Sequence, residues 1–229
     1  MRSARRLTTI LLSTALLAAC GGSSEPAHVP VTSLLGVIAG TGGLTGTMAF
    51  DIPVDNALTA LPSSFGVVNV TGTWTQAGVA VPLTGTYDPL TKQLLLSGVR
   101  GGVTYSLGSG AGEQTAIDLI GGGGGGSSNF TIAAFVRRPG VTITTQCGDG
   151  VGGSLQKVGL VFTSDQRAAM VLHANTVPWD FRPDLVGRTL SETINMTLTG
   201  TIDSSGASAN GTFSQAGNSG TWTTSTTGC

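Results

Sequence analysis

VTGTWTQ, residues 70–76, sets a glycine in the middle of a run of strand-forming Val, Thr and Trp. Glycine weakens a strand by adding unfolded-state entropy and packing no side chain, so its presence needs a geometric reason. The same word returns as LTGTM at 44–48, LTGTY at 83–87, LTGTI at 198–202, NGTF at 210–213 and SGTW at 219–222. Around these words apolar and hydroxylated residues alternate. Val68, Val70, Gly72 and Trp74 share one face, and Asn69, Thr71, Thr73 and Thr75 share the other. Leu44 to Ile52, Val79 to Tyr87 and Ile194 to Ile202 repeat the pattern. A period of two held over nine residues belongs to a half-buried strand of an antiparallel sheet. Each glycine falls on the apolar face, where it leaves room for a sheet to curl or for an aromatic ring to lie over the backbone.

Turn signals are short and close together. YDPLTKQL at 87–94 reads as a hairpin around Asp88 and Pro89, and DSSGAS at 203–208 as another. Further strand-like runs at 92–99, 102–108, 113–120 and 129–137 keep the spacing of about 8 to 12 residues found in all-β domains. Gly121 to Gly126 with Ser127 and Ser128 reads as a mobile loop, without the Lys and Ser/Thr of a phosphate-binding loop. Residues 155–173 read as a hairpin turning near Asp165, with a short helix capped by Ser164 as the alternative. The expected fold is all-β, an antiparallel up-and-down β-barrel or a strongly coiled β-sandwich of about 8 to 12 strands. Closure into a barrel removes the exposed edges of a sheet.

The first twenty residues are of a different kind. Arg2, Arg5 and Arg6 precede an uncharged run from Leu7 to Ala19, the layout of a secretory signal peptide. That run is short of the roughly 20 residues a membrane-spanning helix needs. Leu17, Ala18, Ala19 and Cys20 resemble the lipobox of bacterial lipoproteins. The resemblance implies that Cys20 is acylated and becomes the first mature residue, and Gly21 after it implies transport to the outer membrane. Residues 1–19 are then a signal, 20–33 a lipidated start and tether, and 34–229 a single all-β domain. The partner so implied is a membrane, reached through several acyl chains at about 0.8 kcal/mol per buried methylene. His28 lies in the tether, where a solvated imidazole is expected.

Cleavage would remove three of the eleven basic residues and none of the twelve acidic ones. The resulting weakly acidic surface argues against a nucleic-acid partner. Charged residues make up only 10% of the chain and glycines number 36, so hydroxyls in place of charges must cover much of the surface. Two cysteines remain after Cys20, Cys147 and Cys229. In an oxidising compartment such a pair is most simply a disulfide, free thiols being the alternative. CGDG at 147–150 lacks the companions of a zinc site, and no cofactor motif is present.

Gly72-Thr73-Trp74 and Gly220-Thr221-Trp222 resemble the Gly-x-Trp signature of lipocalins, and GTWTQ is similar to the first strand of avidin-like barrels. The resemblance implies a small barrel with a tryptophan sealing one end, in which Trp74, Trp222 and Tyr87 are either core plugs or ligand contacts. PWDFRPDL at 178–185 reads as a proline-restrained loop presenting Trp179, Phe181 and Arg182, residue types favoured at binding hot spots. The alternative folds its aromatics over a barrel end and pairs Arg182 with Asp180 or Asp184. Arg138 either follows Phe130, Ile132 and Val136 inward as an anion anchor or lies on a solvated rim. His173 falls on the polar side of its hairpin. Asp51, Asp55, Glu113 and Asp118 are scattered, no GxSxG occurs, and no catalytic constellation emerges. A transmembrane barrel would need an aromatic girdle, whereas aromatics are 5% of the chain.

Two functions fit these observations. The first is a lipid-anchored envelope barrel that carries a small apolar ligand or lipid. The second is a non-enzymatic structural or interaction module with a filled barrel, whose threonine-rich exterior meets proteins or glycans. A cavity of several hundred cubic ångströms would distinguish the first from the second.

Overall fold

The computed structural model describes residues 31–53, 66–109, 118–152, 155–174, 177–193, 197–215 and 218–229. Every regular element among them is a strand. The first eight, β1 (Thr32–Gly40), β2 (Thr45–Ile52), β3 (Val68–Gln76), β4 (Val79–Asp88), β5 (Gln93–Arg100), β6 (Val103–Ser109), β7 (Leu119–Gly125) and β8 (Ser128–Val136), pair in chain order. β8 then pairs with β1, Gly36 opposite Ala134 and Ile38 opposite Ile132, to close an antiparallel up-and-down barrel.

Nine more strands build a second antiparallel sheet. They are β9 (Ile143–Val151), β10 (Leu155–Thr163), β11 (Ala168–Ala174), β12 (Val177–Phe181), β13 (Asp184–Val186), β14 (Thr189–Glu192), β15 (Thr197–Ile202), β16 (Ser208–Gln215) and β17 (Asn218–Ser225). Their order is β12-β11-β10-β9-β17-β16-β15-β14-β13. The two edge strands, β12 and β13, are consecutive in the chain and joined only by Arg182 and Pro183. Three peptide links span at most about 11 Å, so the sheet must curl until its own edges approach. The result is a half-barrel beside the closed one.

The alternation read from the sequence places the side chains. Leu44, Met48, Phe50, Ile52, Val70, Trp74, Val81, Leu83 and Tyr87 are all buried in the barrel core, while Thr71 and Asp51 on the opposite phase are exposed. Leu198, Ile202, Phe213 and Trp222 do the same in the second core. At several inward glycines an aromatic ring occupies the space a side chain would need, and at Gly72 and Gly85 the neighbouring strand's backbone does. A methyl on Gly46 would approach Trp74 Nε1 to 2.7 Å, one on Gly211 would meet Trp222 Cζ2 at 2.6 Å, and one on Gly220 would meet Phe213 Cε1 at 2.6 Å. Val79, at the start of its strand, is the exception to the inward phase and is 56% exposed.

A third core joins the two bodies. Val37 and Ala39 of β1 and Ala133 and Phe135 of β8 point outward from the barrel onto Val161, Ala169 and Val171 of β10 and β11. Gly159 lets the strands meet, since a methyl there would sit 3.0 Å from Val37 Cβ. At one end of this seam Arg167 donates to Asp118 at 3.0 Å and lies 4.4 Å over the Phe135 ring. Arg138 pairs with Asp165 at 2.9 Å across the same junction.

Three expectations need correction. Gly121 to Gly125 are not a loop but most of strand β7, squeezed between β6 and β8, where a methyl on Gly123 would lie 2.8 Å from Phe130 Cζ. PWDFRPDL is not a loop either: it contributes to β12 and β13, and only Arg182 and Pro183 lie between them. His173 is fully buried, because the outer face of β11 is turned toward the barrel and not toward solvent. Residues 155–173 form the expected hairpin, with Ser164 to Arg167 between its strands. Cys147 and Cys229 form a disulfide.

Candidate functional site

Among the described residues, the middle of the closed barrel offers little space. Ile38, Met48, Trp74, Leu83, Leu96, Tyr105, Leu107 and Phe130 surround a void of about 10 Å³, room for no more than a single water. Trp74 and Tyr105 meet edge to face at 5.4 Å, and Tyr105 lies 6.5 Å from Phe130, so aromatic rings occupy the middle. Trp74 Nε1 donates to Thr45 O at 3.3 Å, and Arg100 stacks 5.2 Å above the indole. Burial, assisted by the charge of Asp88, pushes the Tyr87 phenol up to about 12, so it stays neutral.

A larger recess among the described residues lies at the mouth of the half-barrel, and its volume is about 260 Å³. β9 brings Thr144, with Thr142 just before it, β10 brings Phe162, and the turns after β10, β13 and β15 bring Ser164 and Gln166, Gly187 and Arg188, and Asp203 to Gly206. Phe162, Leu185 and Ile202 form an apolar floor, because all three point into the concave side of the sheet. The walls carry hydroxyls.

The lips of the recess are held by their own hydrogen bonds. Asp203 Oδ1 accepts from Ser205 N at 2.9 Å, Ser205 Oγ at 2.7 Å and Ala207 N at 3.1 Å. Its Oδ2 accepts from Ser208 N at 3.0 Å and Ser208 Oγ at 2.6 Å. These bonds, the Ser208 hydroxyl first, hold the Asp203 carboxyl well below the usual carboxylate range. The carboxylate is therefore spent on its own turn. Across the mouth, Gln166 Oε1 accepts from Gly187 N at 2.7 Å and straps the β10–β11 turn to the β13–β14 turn. Beneath, the fully buried Gln146 donates to Gly206 O at 2.8 Å and accepts from Thr224 Oγ1 at 2.7 Å. Arg188 is exposed, and its guanidinium makes no ion pair or hydrogen bond among the described residues.

The residues singled out in the sequence lie apart from this recess. Trp74 and Tyr87 are barrel core, Phe181 and Trp222 are half-barrel core, and Trp179 packs against that core. Arg182 Nη2 lies 4.0 Å from Asp180, and its backbone N–H donates to Glu192 Oε2 at 2.8 Å. Burial raises the Glu192 carboxyl. Arg138 is on the rim, 43% exposed, and not inside the barrel. Asp118 is engaged by Arg167, Asp51 is exposed, and Asp55, Glu113 and Cys20 fall outside the described residues. Among the described residues, no group of three or more His, Cys, Asp or Glu could hold a metal.

Sequence reading found the turn at 203–208 but not the recess. Residues 142, 188 and 203 meet only because β17 returns to pair with β9, Trp222 opposite Gly150 and Ser225 opposite Cys147. No periodicity announces a pairing between strands so far apart in the chain. The fold and site define an all-β protein with a closed eight-stranded antiparallel barrel and a curled nine-stranded sheet. Compared with known protein families, curated proteins and solved structures, the chain matches none.

Proposed function

We propose that the chain is an exported lipoprotein, anchored at the envelope through Cys20, whose β-body serves as a rigid structural or interaction module. The observation that supports this reading is the void of only about 10 Å³ that the described core residues leave in the middle of the closed barrel. A carrier of an apolar ligand needs a pocket of a few hundred cubic ångströms, and the aromatic rings of Trp74, Tyr105 and Phe130 occupy that place. The anchoring half of the proposal rests on the lipobox-like Leu17-Ala18-Ala19-Cys20 and the signal-like stretch before it.

Native mass spectrometry of the protein isolated from its own host tests both halves. The expected species is the chain from Cys20 carrying covalent acyl groups, with no further mass retained. A reproducible non-covalent lipid-sized adduct would overturn the module reading, and an unacylated Cys20 would overturn the anchor.

A further inference from the structure

The described core of the closed barrel leaves little room, but the half-barrel mouth is open, and its chemistry is more specific than its size. A recess of about 260 Å³ has an apolar floor of Phe162, Leu185 and Ile202, walls of threonine and serine hydroxyls, and one cation, Arg188, at its edge. A fatty acyl chain would leave the hydroxyls unmatched, and a bare anion would leave the floor unused. A ring with one C–H face, a rim of hydroxyls and a single carboxylate would use all three. The other charge on the rim, Asp203, does not oppose an anion as a free carboxylate would, because five hydrogen bonds from its own turn surround it.

The geometry points to a binding site for an acidic sugar residue, a pyranose bearing a carboxylate, at the mouth of the nine-stranded sheet. The ring lies over Phe162 and Ile202, its hydroxyls meet Thr142, Thr144 and Ser204, and its carboxylate meets the Arg188 guanidinium in the fork geometry that suits the pair. The site is organised before the ligand arrives. Asp203 fixes one lip, the Gln166 to Gly187 bond fixes the opposite one, and Ser164 Oγ accepting from Thr142 N at 3.0 Å ties the third side. Little ordering cost is left for binding to meet. This inference deepens the interaction reading by naming what the module meets, the acidic end of a glycan.

The test is saturation-transfer NMR on the whole mature chain in detergent, with glucuronate as probe and glucose and acetate as comparators. Glucuronate is expected to give a saturable signal, glucose a signal weaker by roughly tenfold, and acetate one weaker still. Arg188→Gln, at an exposed side chain with no partner among the described residues, should reduce glucuronate to the level of glucose. Ser204→Trp, at an exposed turn position, should fill the mouth and abolish both signals. No saturable glucuronate signal, acetate binding as well as glucuronate, or glucuronate binding unchanged in either variant would each overturn the site. Failure here leaves the barrel's contents untouched, so it is separable from failure of the module reading.

Discussion

At the scale of single residues, the inward glycines determine how closely the strands can wrap. Gly200 lies beneath the Trp222 ring, with a hypothetical methyl meeting Cζ2, and Gly211 lies under the same ring from the neighbouring strand. Gly200→Val should therefore overpack the second core and cost about 1–3 kcal/mol, read as a lower urea midpoint at unchanged slope. His173 is the opposite kind of residue, a polar group where space is closed. It is fully buried, and neither ring nitrogen has a hydrogen-bond partner among the described residues. It stands opposite Lys157 in the β10–β11 register, and Lys157 is paired with Asp149. Burial depresses its pKa below the usual 6.5. The unfolded chain then binds a proton that the native one refuses. Stability is full above about pH 6.5 and falls as the pH drops below it, by at most ~1.4 kcal/mol per unit. His173→Leu should flatten that slope between about pH 6.5 and 5 and raise stability throughout, as measured by urea unfolding across the range. An unchanged slope would mean that the native state takes up the His173 proton as readily as the unfolded chain does.

At the scale of elements, the last strand is fastened twice. The disulfide joins Cys229 to Cys147 of β9 across 82 residues, and Cys229 O accepts from Ala77 N in the β3–β4 turn at 2.7 Å. The C-terminus thus clips the half-barrel to the closed barrel. In the chain-entropy model a loop of that length contributes about 4–5 kcal/mol. Replacing both cysteines by alanine should lower the unfolding free energy toward that amount, and a loss below about 1 kcal/mol would show that the clip is redundant with the seam at Val37, Phe135 and Val171. The elements also show what a sequence can disclose. The alternation through Leu44 to Ile52 and Val68 to Trp74 named the core residues of β2 and β3, because one face of each strand is solvated and the other is not. Gly121 to Gly125 could not be read as β7, since a strand without side chains has no alternation to show. His173 could not be placed, because the face it shares with Val171 is covered by a second body and not by water.

At the scale of the molecule, local pattern set the class but not the division of labour. Antiparallel barrel strands were legible, whereas the assignment of nine of them to a separate curled sheet depends on the long-range β9–β17 pairing. The recess at the half-barrel mouth follows from the same pairing, which is why none of Trp74, Tyr87, Arg138, Trp179, Phe181, Arg182 or Trp222 lines it. What distinguishes the two bodies is where space remains. One barrel closes on its aromatics, and the other sheet stops short of closure and keeps an opening. Diffraction from crystals pressurised with xenon measures this directly, because xenon enters dry apolar cavities of about 150 Å³ but not voids near the size of a water. The expected result is no xenon within the closed barrel. An ordered xenon among Trp74, Tyr105 and Phe130 would contradict the filled interior on which the proposed function stands.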